Sequence, residues 1–89
     1  MGYYYVLCEE RNSRQRSVEI IKDITELEKM VGACTAQAKE DRLYLNSANT
    51  IYSLTQKAAK EMISAKEDSE LAVKISYALE LRRWHKQEV

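Results

Sequence analysis

The chain has 89 residues, and its 14 lysines and arginines balance 14 aspartates and glutamates to a formal net charge of zero. A chain of this length forms one domain, here residues 1–89, and a neutral domain lacks the basic excess typical of duplex DNA binding. No apolar stretch approaches the ~18–20 residues of a membrane span, and the first residues do not resemble a secretory signal. We therefore expect a cytoplasmic protein that binds neither membranes nor duplex DNA.

The composition favours helix along the whole chain. There is no proline and there are two glycines, so few residues would break a helix. We therefore predict a mainly α fold, either an antiparallel helical hairpin or a three-helix arrangement, with or without a short Tyr-rich strand at the N-terminus.

The N-terminal segment combines aromatic and basic residues. It carries three consecutive tyrosines and three arginines: Tyr3, Tyr4, Tyr5, Arg11, Arg14 and Arg16. Tyrosine rings stack on nucleobases, and arginine binds phosphate through paired donors, so these six residues predict a site for a nucleotide-like ligand. The alternative is that the tyrosines form an apolar flap over a helical core. Residues 2–9 have the composition of a strand, but a helical lead-in also fits.

An apolar seam follows this segment at alternating spacings of four and three. Its members are Ile20, Ile24, Leu27, Val31, Cys34 and Ala38. This spacing is typical of a helix that packs one face, so we predict a long helix with Leu27 in its core. Asp23 with Glu26, or Thr25 with Glu28, would form a capping box at its start.

A second apolar stripe predicts a second helix. Its members are Tyr44, Leu45, Ala48, Ile51, Tyr52, Thr55, Ala58, Ala59, Met62 and Ile63. The break between the two helices is expected either at residues 40–42 or at residues 46–49, where Asn46 or Ser47 could cap the next helix.

The last predicted helix begins after an N-cap at Asp68 or Ser69. One of its faces carries Leu71, Ala72, Ile75, Ala78 and Leu79. A second apolar face carries Val73, Tyr77, Leu81 and Trp84. A helix that is apolar on two sides is buried on two sides, and a core of this size covers one. The second face therefore predicts a subunit interface and a homo-oligomer.

Residue patterns for catalysis are absent from the sequence. There is no Gly-rich phosphate loop, GxSxG, HExxH or calcium-loop motif, and the one histidine, His85, lies five residues from the C-terminus. Cys8 and Cys34 match no zinc or CxxC spacing and are expected to be buried, inert thiols. We predict that the protein is not an enzyme and that it has no catalytic residues, no metal site and no cofactor.

The stretch SELAVKISYALELRRW, residues 69–84, resembles the last helix of the small phage anti-CBASS proteins. That family's last helix also opens with a Leu-Ala pair and carries Lys, Leu and Ala-Leu repeats. The resemblance implies a non-enzymatic protein built from a short N-terminal helix and a two-helix hairpin. It also implies homo-oligomers that sequester cyclic oligonucleotide signals. No binding residue is transferred from this family.

Two functional hypotheses follow. In the first, a homo-oligomer traps a nucleotide signal between subunits, as an anti-defence factor of a phage-type mobile element would. In the second, the protein inhibits a host protein by covering it with the exposed side of its helices, or by strand addition through residues 3–8. Single-stranded nucleic-acid binding is a third alternative, disfavoured by the zero net charge.

Overall fold

A computed structural model describes residues 5–12, 14–65 and 69–79. This part of the chain forms five strands and three helices, in the order β1 (Tyr5–Arg11), β2 (Arg14–Ile21), α1 (Ile24–Val31), β3 (Cys34–Lys39), β4 (Arg42–Ser47), β5 (Ile51–Thr55), α2 (Gln56–Ala65) and α3 (Glu70–Ala78). The fold is α+β. The predicted mainly α fold, whether helical hairpin or three-helix arrangement, is therefore wrong.

The five strands form one sheet in the order β2-β1-β5-β4-β3, and each neighbouring pair is antiparallel. Strands β1 and β2 form one hairpin, and β3, β4 and β5 form a meander. The two parts join where β1 pairs with β5 through Cys8–Glu10, a contact between segments about forty residues apart. Strands β2 and β3 lie at the edges. Of the two alternatives for residues 2–9, strand or helical lead-in, the described part is a strand, and it continues to Arg11.

Tight turns connect the strands without glycine or proline. Asn12 and Glu40 adopt positive φ angles of 54° and 57°, next to the β1–β2 and β3–β4 turns. Between β4 and β5, the Ser47 hydroxyl donates to the Thr50 carbonyl at 2.8 Å and accepts from the Thr50 N–H at 3.2 Å. Each region predicted for a break between helices, residues 40–42 and 46–49, contains a turn, but the turn joins two strands.

Helix α1 is short because it is capped at both ends. The Asp23 carboxylate accepts from the Glu26 N–H at 3.0 Å, so of the two predicted helix starts, Asp23 and Thr25, the structure has the first. The Gly32 N–H donates to the Glu28 carbonyl at 2.9 Å, and its φ of 62° turns the chain out of the helix.

The predicted seam is therefore not one helix. Its central members Ile24, Leu27 and Val31 lie on α1 and are buried. Ile20 lies on β2 and is 63% exposed, whereas Cys34 and Ala38 lie on β3.

The second predicted stripe also divides between strands and a helix. Its first half forms β4 and β5, and its second half forms α2, where Ala59, Met62 and Ile63 are buried. Helix α3 begins as predicted, because the Ser69 hydroxyl caps it by accepting from the Ala72 N–H at 2.9 Å.

All three helices pack on the same face of the sheet. The buried cluster takes residues from every helix and from each strand: Leu7, Ile21, Ile24, Leu27, Val31, Cys34, Leu43, Leu45, Leu54, Ala59, Met62, Ile63, Leu71, Ala72 and Ile75. Helix α1 contacts β2 and α3, α2 contacts β4 and β5, and α3 contacts β3. No described helix covers the opposite face of the sheet, which we call the open face.

Candidate functional site

The β1–β2 hairpin brings together three of the predicted ligand residues. Arg14 pairs with Arg11 across the hairpin, and Arg16 pairs with Glu9. Directly paired residues of antiparallel strands point to the same face, so the three arginines project to one side of the hairpin. They line an open groove of about 620 Å³, whose full lining is Glu9, Arg11, Asn12, Arg14, Gln15 and Arg16. We call this the arginine groove.

One carboxylate partly neutralises the arginine groove. Glu9 accepts from Arg16 Nη2 at 2.8 Å and from Arg11 Nη2 at 3.4 Å. The two arginine side chains are 76% and 73% exposed, so these ion pairs are weak and screened by salt. Arg14 makes no hydrogen bond or ion pair with another described residue. Three arginines against one glutamate give the groove a formal net charge of +2.

The tyrosines do not join the arginines in the described part of the chain. Tyr5 lies at the opposite end of β1 from Arg11, about 20 Å away at the ~3.3 Å rise of a strand, and it packs against the core. Tyr3 and Tyr4 lie outside the described residues. The aromatic residue beside the groove is Tyr52, which pairs with Glu9 across β5 and β1. Sequence reasoning missed Tyr52 because only the long-range pairing of these strands brings it there.

A second polar cluster lies on the open face. Ser53 is fully buried, and its hydroxyl donates to Glu10 Oε2 at 2.5 Å and accepts from Arg42 Nη2 at 2.8 Å. Gln15 Nε2 donates to the same Glu10 oxygen at 3.0 Å. This chain of hydrogen bonds crosses four strands, β2, β1, β5 and β4.

The ionisation of Glu10 depends on this cluster. Burial acts to raise the pKa of Glu10, but the hydrogen bonds from Ser53 and Gln15 and the charge of Arg42 outweigh it. The pKa of Glu10 is therefore below the ordinary value of 4.5. A depressed carboxyl pKa stabilises the fold above the unfolded-state pKa, and this contribution is lost as the pH falls through the folded-state value.

We therefore expect Glu10→Gln to reduce the loss of stability on acidification. Thermal melts of the parent and the variant from pH 7 to pH 3 measure this difference. Glu61→Gln, at an exposed site on α2, is the matched control and should follow the parent. If parent and Glu10→Gln lose stability in parallel below pH 4.5, the role assigned to Glu10 is wrong.

The two cysteines are free and buried. Burial raises the pKa of the Cys34 thiol, and the nearby charge of Lys74 offsets this only in part. The amine of Lys74 also donates to the Cys34 carbonyl at 2.8 Å, which ties α3 to β3. Cys34 is thus protonated at neutral pH. Within the described ranges, no three His, Cys, Asp or Glu side chains are grouped so that they could hold a metal ion.

The second face of α3 is exposed as far as it is described. Val73 and Tyr77 are 45% and 57% exposed. A shallow groove of about 500 Å³ lies between α3 and β3, lined by Cys34, Thr35, Ala36, Lys74, Tyr77 and Ala78. The other two predicted interface residues, Leu81 and Trp84, lie outside the described residues, so the interface stays a prediction.

Comparisons with known proteins add no relative. No protein-family model matches the chain, and no curated protein or solved structure matches it significantly. Of the helices that the structure describes, none has the length and apolar character to cross a membrane.

Proposed function

We propose that this chain is a non-enzymatic binding protein whose arginine groove holds a phosphate-bearing ligand, with a nucleotide as the ligand class. The observation that carries the proposal is that Arg11, Arg14 and Arg16 face one groove with a single carboxylate among them. Each guanidinium offers up to five N–H donors in a planar fork that matches the oxygens of a phosphate. An anion with two or more phosphates would compete with Glu9 for these donors.

The charge distribution favours a small anion over a polynucleotide duplex at this groove. The whole chain is neutral, whereas the groove has a net charge of +2. A local positive site attracts a compact anion, but a duplex contacts many phosphates over a wide surface. The helical fold implied by the resemblance to phage proteins is not the fold of this chain. The ligand class therefore rests on the arginines.

Calorimetric titration tests this proposal with pyrophosphate and with mono-, di- and cyclic nucleotides. We expect saturable binding of at least one member, and Arg14→Ala should weaken it by about 1.5 kcal/mol, roughly tenfold, as expected for one charged hydrogen bond. Because Arg14 is exposed at the edge of the sheet, its loss should leave the melting temperature unchanged.

Lys57→Ala is the control, since it removes one positive charge at an exposed position of α2. It should bind the ligand like the parent. Equal weakening by both variants would mean that only overall charge matters, and no binding to any member of the panel would reject the proposal.

Inhibition of a protein partner is the second candidate. It is favoured by the exposed apolar face of α3 at Val73 and Tyr77. Strand addition through residues 3–8 is not supported, because Tyr5–Arg11 already pairs with β2 and, at Cys8–Glu10, with β5. The outer edge of β2 has no neighbour within the described sheet and is the alternative place for an added strand. A homo-oligomer with α3 at its interface would use the same exposed residues, Val73 and Tyr77, and also remains a prediction.

A further inference from the structure

The open face carries a compact patch that combines one aromatic side chain with two cations. On β4, Arg42 and Tyr44 are two residues apart and therefore point to the same side. On β3, Lys39 pairs directly with Arg42, and Gln37 pairs directly with Tyr44. We call these four residues the Tyr44 patch. They point away from the core because the intervening Leu43 is fully buried among the helices.

The dimensions of the Tyr44 patch suit a nucleotide. Directly paired side chains start about 4.5–5.5 Å apart, and residues two apart on a strand are separated by about 7 Å. The ring of Tyr44 is therefore close enough to Lys39 and Arg42 for one nucleotide to place its base on the ring and its phosphate at the two cations. Gln37, beside the ring, offers both an amide donor and a carbonyl acceptor to a base edge.

Arg42 is fixed in place before any ligand arrives. Its Nη2 donates to the buried hydroxyl of Ser53, which is itself bonded to Glu10. Its Nε is buried and has no acceptor among the described residues. Because this Nε is buried, a phosphate oxygen would be held by the Nη donors of the guanidinium that Ser53 does not use. Lys39 beside it is exposed.

We propose that the Tyr44 patch binds one nucleotide of a single-stranded nucleic acid, with a base on the ring of Tyr44 and a phosphate held by Lys39 and Arg42. Base stacking on an aromatic residue of an open sheet is a common mode of single-strand recognition. This inference does not rest on the arginine groove, which lies on the other side of the sheet.

A strand fits this surface better than a free nucleotide does. The patch lies on the open face of the sheet, where no described helix encloses a ligand, so one nucleotide gains few contacts. The next pair along β3 and β4, Thr35 with Asn46, is also polar and extends the surface. Thus further nucleotides of a strand could add contacts that a monophosphate lacks.

A second copy of this chain fits the open face less well. The exposed apolar side chains there are Val6, Ile20 and Ile51. Val6 and Ile20 pair with each other across β1 and β2. Ile51 pairs with Glu10, which lies four residues from Val6 along β1. The polar pairs at Ser53 lie between them, so the described residues of the open face form no continuous apolar area for a second copy.

Fluorescence anisotropy with labelled 12-nucleotide RNA and DNA of mixed sequence tests the proposal, at salt concentrations from 50 to 200 mM. Tyr44→Ala should weaken binding about 5- to 150-fold with little change in salt dependence, because one stacking surface is lost. Lys39→Ala should reduce the slope of log affinity against log salt by about 0.7, because one phosphate contact is lost.

One control separates this site from the rest of the surface. Lys57→Ala removes an exposed lysine elsewhere and should bind like the parent. Because the arginine groove is tested separately with pyrophosphate, either site can fail alone. Should Tyr44→Ala melt at a lower temperature, Tyr44→Leu keeps an apolar side chain without an aromatic face and should show the same loss of affinity.

Three outcomes would overturn the proposal. The first is no saturable binding of either oligonucleotide by the parent. The second is oligonucleotide binding that Tyr44→Ala and Tyr44→Leu leave unchanged. The third is equal affinity for a nucleoside monophosphate that Tyr44→Ala weakens to the same extent, which would assign the patch to a free nucleotide and not to a strand.

Discussion

Replacing Leu27 with alanine is expected to lower the free energy of unfolding by about 2–5 kcal/mol, as truncations of buried leucines do. Leu27 is fully buried at the centre of α1. An eight-residue helix is unstable alone, so α1 depends on packing of its apolar face against the sheet and α3. Urea denaturation measures the effect. In a domain of this size, each kcal/mol also lowers the melting temperature by about 4–8 °C.

The matched control for Leu27 is Met30→Ala. Met30 is a side chain of similar volume on the same helix, but it is 36% exposed. Its truncation should therefore cost clearly less than that of Leu27. Equal losses for the two variants would contradict the packing of α1 described above.

Replacing Ser53 with alanine is expected to cost about 1–3 kcal/mol, because it removes hydrogen bonds to two charged, half-buried side chains. The hydroxyl of Ser53 serves both Glu10 and Arg42, so its loss removes a donor from a carboxylate and an acceptor from a guanidinium. Ser17→Ala is the control, because Ser17 lies on the same face but is exposed. Unfolding in urea should separate the two variants.

A double-mutant cycle measures how strongly Ser53 and Glu10 stabilise each other. If Ser53 acts through Glu10, the combination of Ser53→Ala with Glu10→Gln should cost less than the two single changes added together. Additive losses would instead show that Ser53 and Glu10 contribute independently, contrary to their hydrogen bond.

The fold class was mispredicted because the apolar spacing fits two structures. Residues four apart share a face in a helix and also in a strand, so Cys34 and Ala38 satisfy either pattern. Ala36, midway between them, is the discriminating residue: it packs against the core as a strand requires. The alternation of Leu43 and Leu45 with polar neighbours was a strand signal of the same kind.

Turn chemistry gave only a weak signal for the strands. Of the two positions with left-handed backbone at the hairpin turns, Asn12 is a residue type that tolerates this conformation, whereas Glu40 is not. Local helix signals were more reliable, since the caps Asp23 and Ser69 are each one of the two alternatives predicted for their helix. Capping depends on residues within one turn, whereas strand pairing depends on residues far apart in sequence.

The arginines of the candidate site could be predicted from the sequence, but the residues brought near them by long-range strand pairing could not. Arg11, Arg14 and Arg16 are close in sequence, so a hairpin keeps them together. Tyr5 and Arg11 would be about 9 Å apart along a helix but are about 20 Å apart along a strand. The Tyr44 patch could not be found, because the register of β3 on β4 aligns its residues.

The most direct test of the arginine groove is an NMR titration of ¹⁵N-labelled protein with pyrophosphate. Pyrophosphate carries the charge of a nucleotide without a base, so it probes the arginines and not the ring of Tyr44. We predict saturable shifts of backbone amides in residues 9–16, and the loss of most of this response in Arg14→Ala. The absence of saturable shifts, or shifts centred on residues 35–46 of the open face, would contradict the assignment of phosphate binding to this groove.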